Sequence, residues 1–384
     1  MRADVAVVGA GIVGAACALA CARRGLSVVV LDRGGLVAGT TGSGEGNLLV
    51  SDKIPGPELD LALLSLRLWQ RLGPELSARY GDIELEAKGG VIVTRSASGL
   101  AALRGTARTQ VDAGVTAEEL DAAGVRAREP AITPDVAGGV YYPQDMQVQP
   151  ARAAAAMLAA ARDLGARVRL RVPVTAIQRD AHGRVSGVDT PGGTIAASWV
   201  VNAAGAWAGE VTGSAGAPVP VAPRRGFVLV TEPVGALIRH KVYSADYLDN
   251  VASGAADLQT STVVEGTPAG TVLIGATREL VGFDRGLNHA AVRALARGAV
   301  ELFPALAAVR AMRVYRGFRP FAPDHAPLIG PDPRVPGLVQ ANGHEGAGIG
   351  LAPATGHLVA QVIAGEPADL DLKPFDPARF EAHS

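Results

Sequence analysis

Cysteine is scarce in this sequence of 384 residues, which contains only Cys17 and Cys21. Two thiols are too few to hold an iron–sulfur cluster or a cysteine-rich zinc site. They lie four positions apart in an apolar stretch and so share one face of a helix. Packed core thiols in a reducing cytoplasm are the favoured interpretation. The seven histidines are scattered along the chain, so no metal site is expected.

Net charge is also small, because 36 basic side chains are balanced by 37 acidic ones. A protein that binds the phosphate backbone of a nucleic acid needs a basic surplus, so this class is not expected. Hydrophobic residues make up 48% of the chain, which argues against intrinsic disorder. At about 150 residues per domain, the length predicts two to three domains with a substantial core.

An uncharged run spans residues 5–22 and reaches the length of a short membrane-spanning helix. Three glycines interrupt its first ten residues, and Asp4 stands where a signal peptide carries positive charge. We therefore expect neither a membrane span nor a targeting segment. The run divides into a predicted strand at residues 4–8, a glycine turn and a predicted helix at residues 12–24.

This turn contains the pattern G-x-G-x-x-G, and a second apolar strand, at residues 27–31, ends in Asp32. Gly9 permits the tight turn, Gly11 lets the backbone approach a pyrophosphate, and Gly14 lets the helix pack on the strand. The helix N-terminus attracts the phosphates, and the Asp32 carboxylate can accept hydrogen bonds from a ribose diol. The motif predicts a dinucleotide site but does not distinguish NAD from FAD.

Two further glycine-rich segments, residues 39–47 and 343–350, lie far along the chain. A strand predicted at residues 199–205 also ends in small residues, as expected where a flat ligand lies close. One extended cofactor that touches all these segments would explain why each exposes its backbone. FAD, with its long arm and flat ring, fits this pattern better than a nicotinamide dinucleotide.

Five motifs in order resemble the FAD-dependent D-amino-acid oxidase superfamily, with the glycine oxidase and sarcosine-oxidase-like branch nearest. The chain is similar as well to opine oxidase and hydrogen cyanide synthase flavoprotein subunits and to D-hydroxyproline dehydrogenases. The motifs are residues 9–14 with Asp32-Arg33, residues 39–47, residues 202–207, residues 316–324 and residues 343–356.

The resemblance implies an α/β fold with two domains. A Rossmann-like FAD-binding domain is expected from residues 1–82, 147–215 and 311–384. A substrate-binding cap with a mixed or antiparallel sheet is expected from residues 83–146 and 216–310. Some sarcosine oxidases attach their flavin through a cysteine near the late strand, where this chain has Gly317 and Arg319, so noncovalent FAD is implied.

The resemblance also implies which residues form the site. Arg319 is the candidate for binding the substrate carboxylate, while His344, Tyr243 and Tyr247 are further catalytic candidates, each with a purely structural role as the alternative. The implied FAD contacts are Gly9, Gly11, Ile12, Val13, Gly14, Asp32, Arg33, Thr40, Thr41, Gly46, Asn47, Leu48, Val174, Ala203, Ala204, Gly205, Trp207, Glu345, Gly346, Gly348 and Ile349.

One loop departs from the family pattern. Residues 45–47 read Glu-Gly-Asn instead of the usual small residues, which leaves the substrate open. Lys53 follows this loop; we interpret it as a solvated surface residue, with promotion of the reaction with oxygen as the alternative.

The implied activity is oxidation of the C–N bond of an amino acid or N-substituted amino acid. A hydride passes from Cα to flavin N5, and the resulting imine hydrolyses. The electron acceptor is O2 or another molecule, and the protein is expected in the cytoplasm. Two alternatives stay open: a flavoprotein subunit that acts only within a hetero-oligomer, and an NAD(P)-dependent dehydrogenase. A homo-oligomer is also compatible with the sequence.

Overall fold

The computed structural model describes residues 2–245, 248 and 254–383. Within these ranges the strands are β1 (Arg2–Val8), β2 (Val28–Asp32), β3 (Asn47–Leu48), β4 (Gly90–Thr94), β5 (Glu118–Asp121), β6 (Gly138–Tyr142), β7 (Met146–Gln147), β8 (Arg167–Leu170), β9 (Ala176–Arg179), β10 (Val185–Thr190), β11 (Gly193–Asn202), β12 (Ala222–Thr231), β13 (Lys241–Ser244), β14 (Gln259–Gly266), β15 (Val272–Arg278), β16 (Ala311–Phe321), β17 (Leu328–Pro331) and β18 (Leu338–Asn342). The α-helices in the same ranges are α1 (Ile12–Arg23), α2 (Pro57–Tyr80), α3 (Ala97–Asp112), α4 (Ala122–Arg128), α5 (Pro150–Asp163), α6 (Ala208–Gly213), α7 (His289–Leu302) and α8 (Gly348–Ala364).

The first sheet has a parallel centre. Its main order is β17-β18-β11-β1-β2-β8, and the β9–β10 hairpin extends it beside β11. Strand β1 pairs in parallel with both β11 and β2. From Val5 to Val8 every residue of β1 is buried, as expected for a parallel strand that is covered on both faces.

Small residues let the helices of this layer pack closely. Helix α1 is rich in alanine, and most of its residues are buried. At Gly356 of α8, a Cβ atom would lie 2.5 Å from the carbonyl carbon of Ala16, so only glycine allows the two helices to approach this far. Cys17 and Cys21 are buried on α1, as their spacing predicts.

The second sheet has the order β16-β12-β15-β14-β13-β4-β6-β5. Its neighbouring strands are antiparallel except for the parallel pair β13–β4. Helix α7 packs Leu295, Ala299 and Leu302 into the core of this sheet together with Phe227 and Leu229. The sequence predicts this mixed, largely antiparallel second sheet.

The two sheets differ at one point from the predicted domain division. Strand β16 lies in the second sheet, paired with β12 over its whole length, although the prediction assigned residues 311–321 to the FAD-binding domain. The division of the chain into two domains stays a prediction.

The apolar patterns of residues 83–86, 167–174 and 271–274 each predict a strand, and the structure differs from these predictions. Residues 83–86 do not form the expected strand; within them, Glu86 makes an isolated bridge to Gln147. The strand predicted at residues 167–174 ends at Leu170, because Arg171 has a φ of 59° and Pro173 follows. The strand predicted at residues 271–274 instead runs from Val272 to Arg278. Among the described helices, none is long and apolar enough to cross a bilayer.

Candidate active site

A cavity of about 770 Å³ extends from the carboxyl end of β2 to the strands of the second sheet. Its lining includes Asp32 at one end, residues 40–41 and 43–47 and the start of α8 in the middle, and Arg319 of β16. This volume suits a large organic ligand, and the carboxyl ends of parallel strands are where α/β folds bind one.

The glycine turn forms one end of the cavity. Gly9 has a φ of +116°, and a Cβ atom there would overlap the carbonyl oxygen of Ala203. Gly11 faces the cavity and, as the N-cap of α1, has no side chain to cap the helix; the Thr41 hydroxyl accepts from the N–H of Ile12 in the first turn. The backbone N–H groups and the positive end of α1 therefore favour an anion here.

Asp32 and an aromatic stack lie beside this turn. The Asp32 carboxylate accepts hydrogen bonds from the backbone N–H groups of Ala10 and Gly34, both at 2.7 Å. The Arg33 guanidinium lies 4.1 Å from the ring centroid of Trp207, which also stacks on Phe283. These contacts hold the Trp207 ring at the rim of the cavity.

Two threonines fix the loop that lines the middle of the cavity. The Thr40 hydroxyl donates to the carbonyl of Phe318 at 2.5 Å, which attaches the loop to β16. The Thr41 hydroxyl accepts from the N–H of Ile12 at 3.0 Å, which attaches it to α1. The loop therefore joins the two sheets at the cavity.

Glu45 of this loop is a charged residue in the cavity wall. Its side chain is 9% exposed, and within the described part of the chain Oε1 accepts no hydrogen bond. Oε1 packs against Gly275 of β15, where a Cβ atom would overlap it. The amide of Asn47 donates to the other carboxylate oxygen at 3.4 Å. Glu45 thus brings a carboxylate to the cavity wall, with Oε1 buried against β15.

His344 lies just before α8, buried in the cavity wall. The Thr355 hydroxyl donates its proton to the carbonyl of Leu351, so it accepts from His344 Nε2 at 2.9 Å. Burial lowers the pKa of His344 to about 3, so the ring is neutral at pH 7.

The neighbouring carboxylate of Glu345 is held ionised. It accepts from Arg224 at 2.6 Å and is 3.1 Å from Nδ1 of His325. Burial alone would raise the pKa of Glu345, but His325 and the charges of Arg224 and Arg278 lower it to about 2. The wall beside α8 therefore combines one carboxylate with several guanidinium groups.

Arg319 and Arg278 lie side by side at this end. Nη1 of Arg319 donates to the carbonyl of Thr277 at 2.7 Å, and Thr277 directly precedes Arg278. Both guanidinium-bearing residues line the cavity, and Arg278 is only 4% exposed. This end of the cavity is suited to carboxylate recognition.

The structure brings most of the predicted site residues into one lining, and three of the described ones do not lie there. Gly14 packs against the backbone of Gly9, and Leu48 is buried in the core. Tyr243 is fully buried, and its hydroxyl donates to Asp145 at 2.9 Å and contacts Ser51. Tyr247 falls outside the described residues. The predicted residues that line the cavity are Gly9, Gly11, Ile12, Val13, Asp32, Arg33, Thr40, Thr41, Gly46, Asn47, Val174, Ala203, Ala204, Gly205, Trp207, Arg319, His344, Glu345, Gly346, Gly348 and Ile349.

Lys53 is not the solvated residue expected from the sequence. It is 5% exposed, and its ammonium group lies 2.8 Å from Asp52 and 3.3 Å from Glu58. These two carboxylates offset the loss of hydration on burial.

Comparison with known proteins decides the family. The model of the FAD dependent oxidoreductase family (DAO) matches residues 4–362. The chain belongs to this family. It is 31% identical to the glycine oxidase of Geobacillus kaustophilus over 98% of this chain and 97% of that protein. It is 30% identical to hydrogen cyanide synthase subunit HcnC of Pseudomonas aeruginosa over 98% of this chain and 96% of that protein.

A solved structure confirms the predicted fold. The crystal structure of glycine oxidase from Geobacillus kaustophilus superposes with a TM-score of 0.89 at 30% identity. The match covers 98% of this chain and 99% of that one. The protein is therefore an FAD-dependent oxidoreductase, as its motifs predict.

The residues of the cavity fit FAD. Gly9 lets the turn pack against the backbone of Ala203, where a Cβ would overlap, and the start of α1 faces the cavity where a pyrophosphate would lie. Asp32 offers a carboxylate where a ribose diol would lie, and the lining continues from there to the start of α8. A long cofactor with a charged centre and a flat ring matches the order of these groups along the cavity.

Arg278, Arg224 and Glu45 were not among the predicted site residues. Arg278 ends the apolar strand β15, and a charged residue at the end of such a strand is the local signal that could have identified it. Arg224 can be identified as part of this wall only through its ion pair with Glu345, which is 121 residues away in sequence.

Proposed function

We propose that this enzyme oxidises the C–N bond of an amino acid or N-substituted amino acid to an imine that water then hydrolyses. Candidate substrates are of the glycine, sarcosine, D-amino acid, D-proline or opine type. The observation that carries the proposal is Arg319, whose guanidinium lines the cavity beside the loop that starts α8. FAD supplies the two-electron oxidation when it is bound.

The chain's contacts with FAD follow from the lining. Gly9, Gly11 and the start of α1 would hold the pyrophosphate, and Asp32 would accept from the ribose hydroxyls. Thr40, Thr41 and the N-terminal turn of α8 would enclose the ring system. Binding is noncovalent in this proposal, since Cys17 and Cys21 are buried on α1 and do not contribute to the lining.

Arg319 would orient the substrate. A guanidinium binds a carboxylate through two parallel hydrogen bonds, which fixes both the position and the rotation of the ligand. Nη1 is itself fixed by the carbonyl of Thr277 at 2.7 Å, so the group needs little reorganisation. This favours a substrate with a carboxylate over a plain amine.

The substrate nitrogen would meet an acceptor rather than an acid. His344 is neutral and holds its Nε2 proton against Thr355, so it does not add positive charge to this wall. Glu45 lines the cavity, and its carboxylate would accept from the substrate N–H through the oxygen that is not packed against Gly275.

Anaerobic titration of the FAD-loaded protein tests this proposal. Glycine, sarcosine, D- and L-amino acids, prolines and opines are added while the flavin absorption near 450 nm is followed. We expect bleaching by at least one carboxylate-bearing amine and none by the corresponding amine without a carboxylate. A protein that takes up FAD but is bleached by no amine would overturn the proposal.

A flavoprotein subunit is the second candidate function, because the HcnC relative is by name a subunit of a synthase. In that case, the flavin would be reduced by substrate, but turnover with O2 would need a partner chain. Steady-state turnover of the purified chain with O2 separates the two functions, and turnover with an artificial electron acceptor is the control that the chain oxidises its substrate in either case.

The proposal places the enzyme in the cytoplasm. Its support is the pair of free, buried thiols on α1, which a reducing compartment preserves.

A further inference from the structure

The wall beside the start of α8 contains more guanidinium groups than one substrate carboxylate requires. Arg319 and Arg278 both line the cavity, and Arg224 lies behind them in the same wall. Strand pairing places Arg224 directly opposite Arg319. Three positive charges from β12, β15 and β16 therefore converge at one end of the cavity.

The acidic group of this wall is already engaged. Glu345 accepts from Arg224 at 2.6 Å and lies 3.1 Å from His325. The charge of Arg278 acts on the same carboxylate and helps to lower its pKa. The Glu345 carboxylate is thus shared among Arg224, Arg278 and His325.

Arg278 is placed to contact a ligand. It is the last residue of β15, it is 4% exposed, and it contributes to the cavity lining. The residue before it, Thr277, carries the carbonyl that fixes Arg319. The two guanidinium groups therefore reach the cavity from adjacent points of the wall.

We propose that Arg278 binds a second carboxylate, so that the preferred substrate is an amine that carries two carboxylates. This inference rests on the proposed amine oxidation. Arg319 takes one carboxylate, Arg278 takes the other, and the nitrogen lies between them within reach of Glu45. A dicarboxylate can meet both guanidinium groups from adjacent points of the wall, whereas a monocarboxylate meets one of them.

Two pairs of small molecules test the assignment. Oxydiacetate and methoxyacetate cannot be oxidised as amines and differ by one carboxylate; their binding to the FAD-loaded protein is measured by calorimetry. Iminodiacetate and sarcosine are the matching amines, compared by the rate constant for anaerobic flavin reduction. The wild-type chain is expected to bind oxydiacetate about 10- to 100-fold more tightly than methoxyacetate, as a charge-assisted contact implies.

The variant Arg278→Met removes the charge and keeps the side-chain length. We expect it to lose the preference for oxydiacetate and iminodiacetate and to keep methoxyacetate and sarcosine within about 3-fold of wild type. The matched control Arg297→Met changes an exposed residue of α7 and should leave all four values unchanged. If Arg278→Met does not fold, the assignment is tested with Arg278→Lys and with the ratio of the dissociation constants of oxydiacetate and methoxyacetate for the wild-type chain.

Two results would overturn the assignment. One is wild-type protein that binds both probes equally. The other is a variant that weakens mono- and dicarboxylate to the same extent, which would mean that both guanidinium groups hold one carboxylate. Tight oxydiacetate binding without flavin reduction by any amine would instead refute the proposed oxidation and leave the dicarboxylate site standing.

Discussion

Nη1 of Arg224 lies 2.6 Å from the carboxylate of Glu345, and both side chains are buried. The pair joins β12 of the second sheet to the loop that precedes α8. Because this loop carries His344 and Gly346 into the cavity, the ion pair sets the distance between the two walls that would enclose the flavin and the substrate.

Replacing Arg224 by Met should lower the free energy of unfolding by about 3–5 kcal/mol, because a buried carboxylate would lose its main counter-charge. Urea unfolding in the presence of FAD measures this. The control Arg23→Met breaks an exposed pair with Glu75 and should cost less than about 1 kcal/mol. A smaller loss for Arg224→Met than for the control would contradict the stabilising role of the buried pair.

His344 should make stability depend on pH. Burial lowers its folded-state pKa from 6.5 to about 3, so the unfolded chain takes up the proton first as the pH falls. The contribution of His344 to the free energy of unfolding is complete above about pH 6.5. As the pH falls toward 3, this contribution is lost at about 1.4 kcal/mol per pH unit. The difference in unfolding free energy between wild type and His344→Gln, measured from pH 4 to 8, should show this slope. A pH-independent difference would rule it out.

Tyr243→Phe separates a structural from a catalytic role for this tyrosine. Its hydroxyl is buried and bonds to Asp145 and Ser51 away from the cavity lining. We expect a loss of about 1–3 kcal/mol in unfolding free energy, because a buried polar network loses one member. The value of kcat/KM should stay within about 3-fold of wild type. A large fall in kcat with unchanged stability would restore the catalytic interpretation.

Asp32→Asn should weaken FAD binding by about 10- to 100-fold, because an ionised acceptor near the ribose is replaced by a neutral amide. Equilibrium dialysis against FAD measures the dissociation constant. Asp32 also accepts from the N–H groups of Ala10 and Gly34. The melting temperature of the FAD-free variant is therefore measured as well, so that a loss of FAD affinity can be separated from a loss of stability. Unchanged affinity would remove Asp32 from the proposed FAD contacts.

The glycine turn was predictable because its physics is local. The spacing of Gly9, Gly11 and Gly14 after an apolar strand determines a turn and a helix N-terminus without reference to the rest of the chain. Asp32 follows at the end of the next strand, and the structure places it on the same cavity.

The buried network around Tyr243 could not be predicted in this way. Tyr243, Asp145 and Ser51 come from three distant segments, and only the completed fold brings them together. A tyrosine in a β-rich region looks the same in sequence whether it faces a cavity or a core. Lys53 shows the same limit, since its burial depends on Asp52 and Glu58 being folded against it.

The most direct test of the central claim compares sarcosine with dimethylamine, which lacks the carboxylate, in wild type and Arg319→Met. The quantity measured is the rate constant for anaerobic flavin reduction divided by the apparent dissociation constant. If Arg319 binds the substrate carboxylate, wild type should favour sarcosine by at least about 100-fold, and the variant should lose most of this preference. Equal reduction of the wild-type flavin by both amines, or an unchanged preference in the variant, would contradict it.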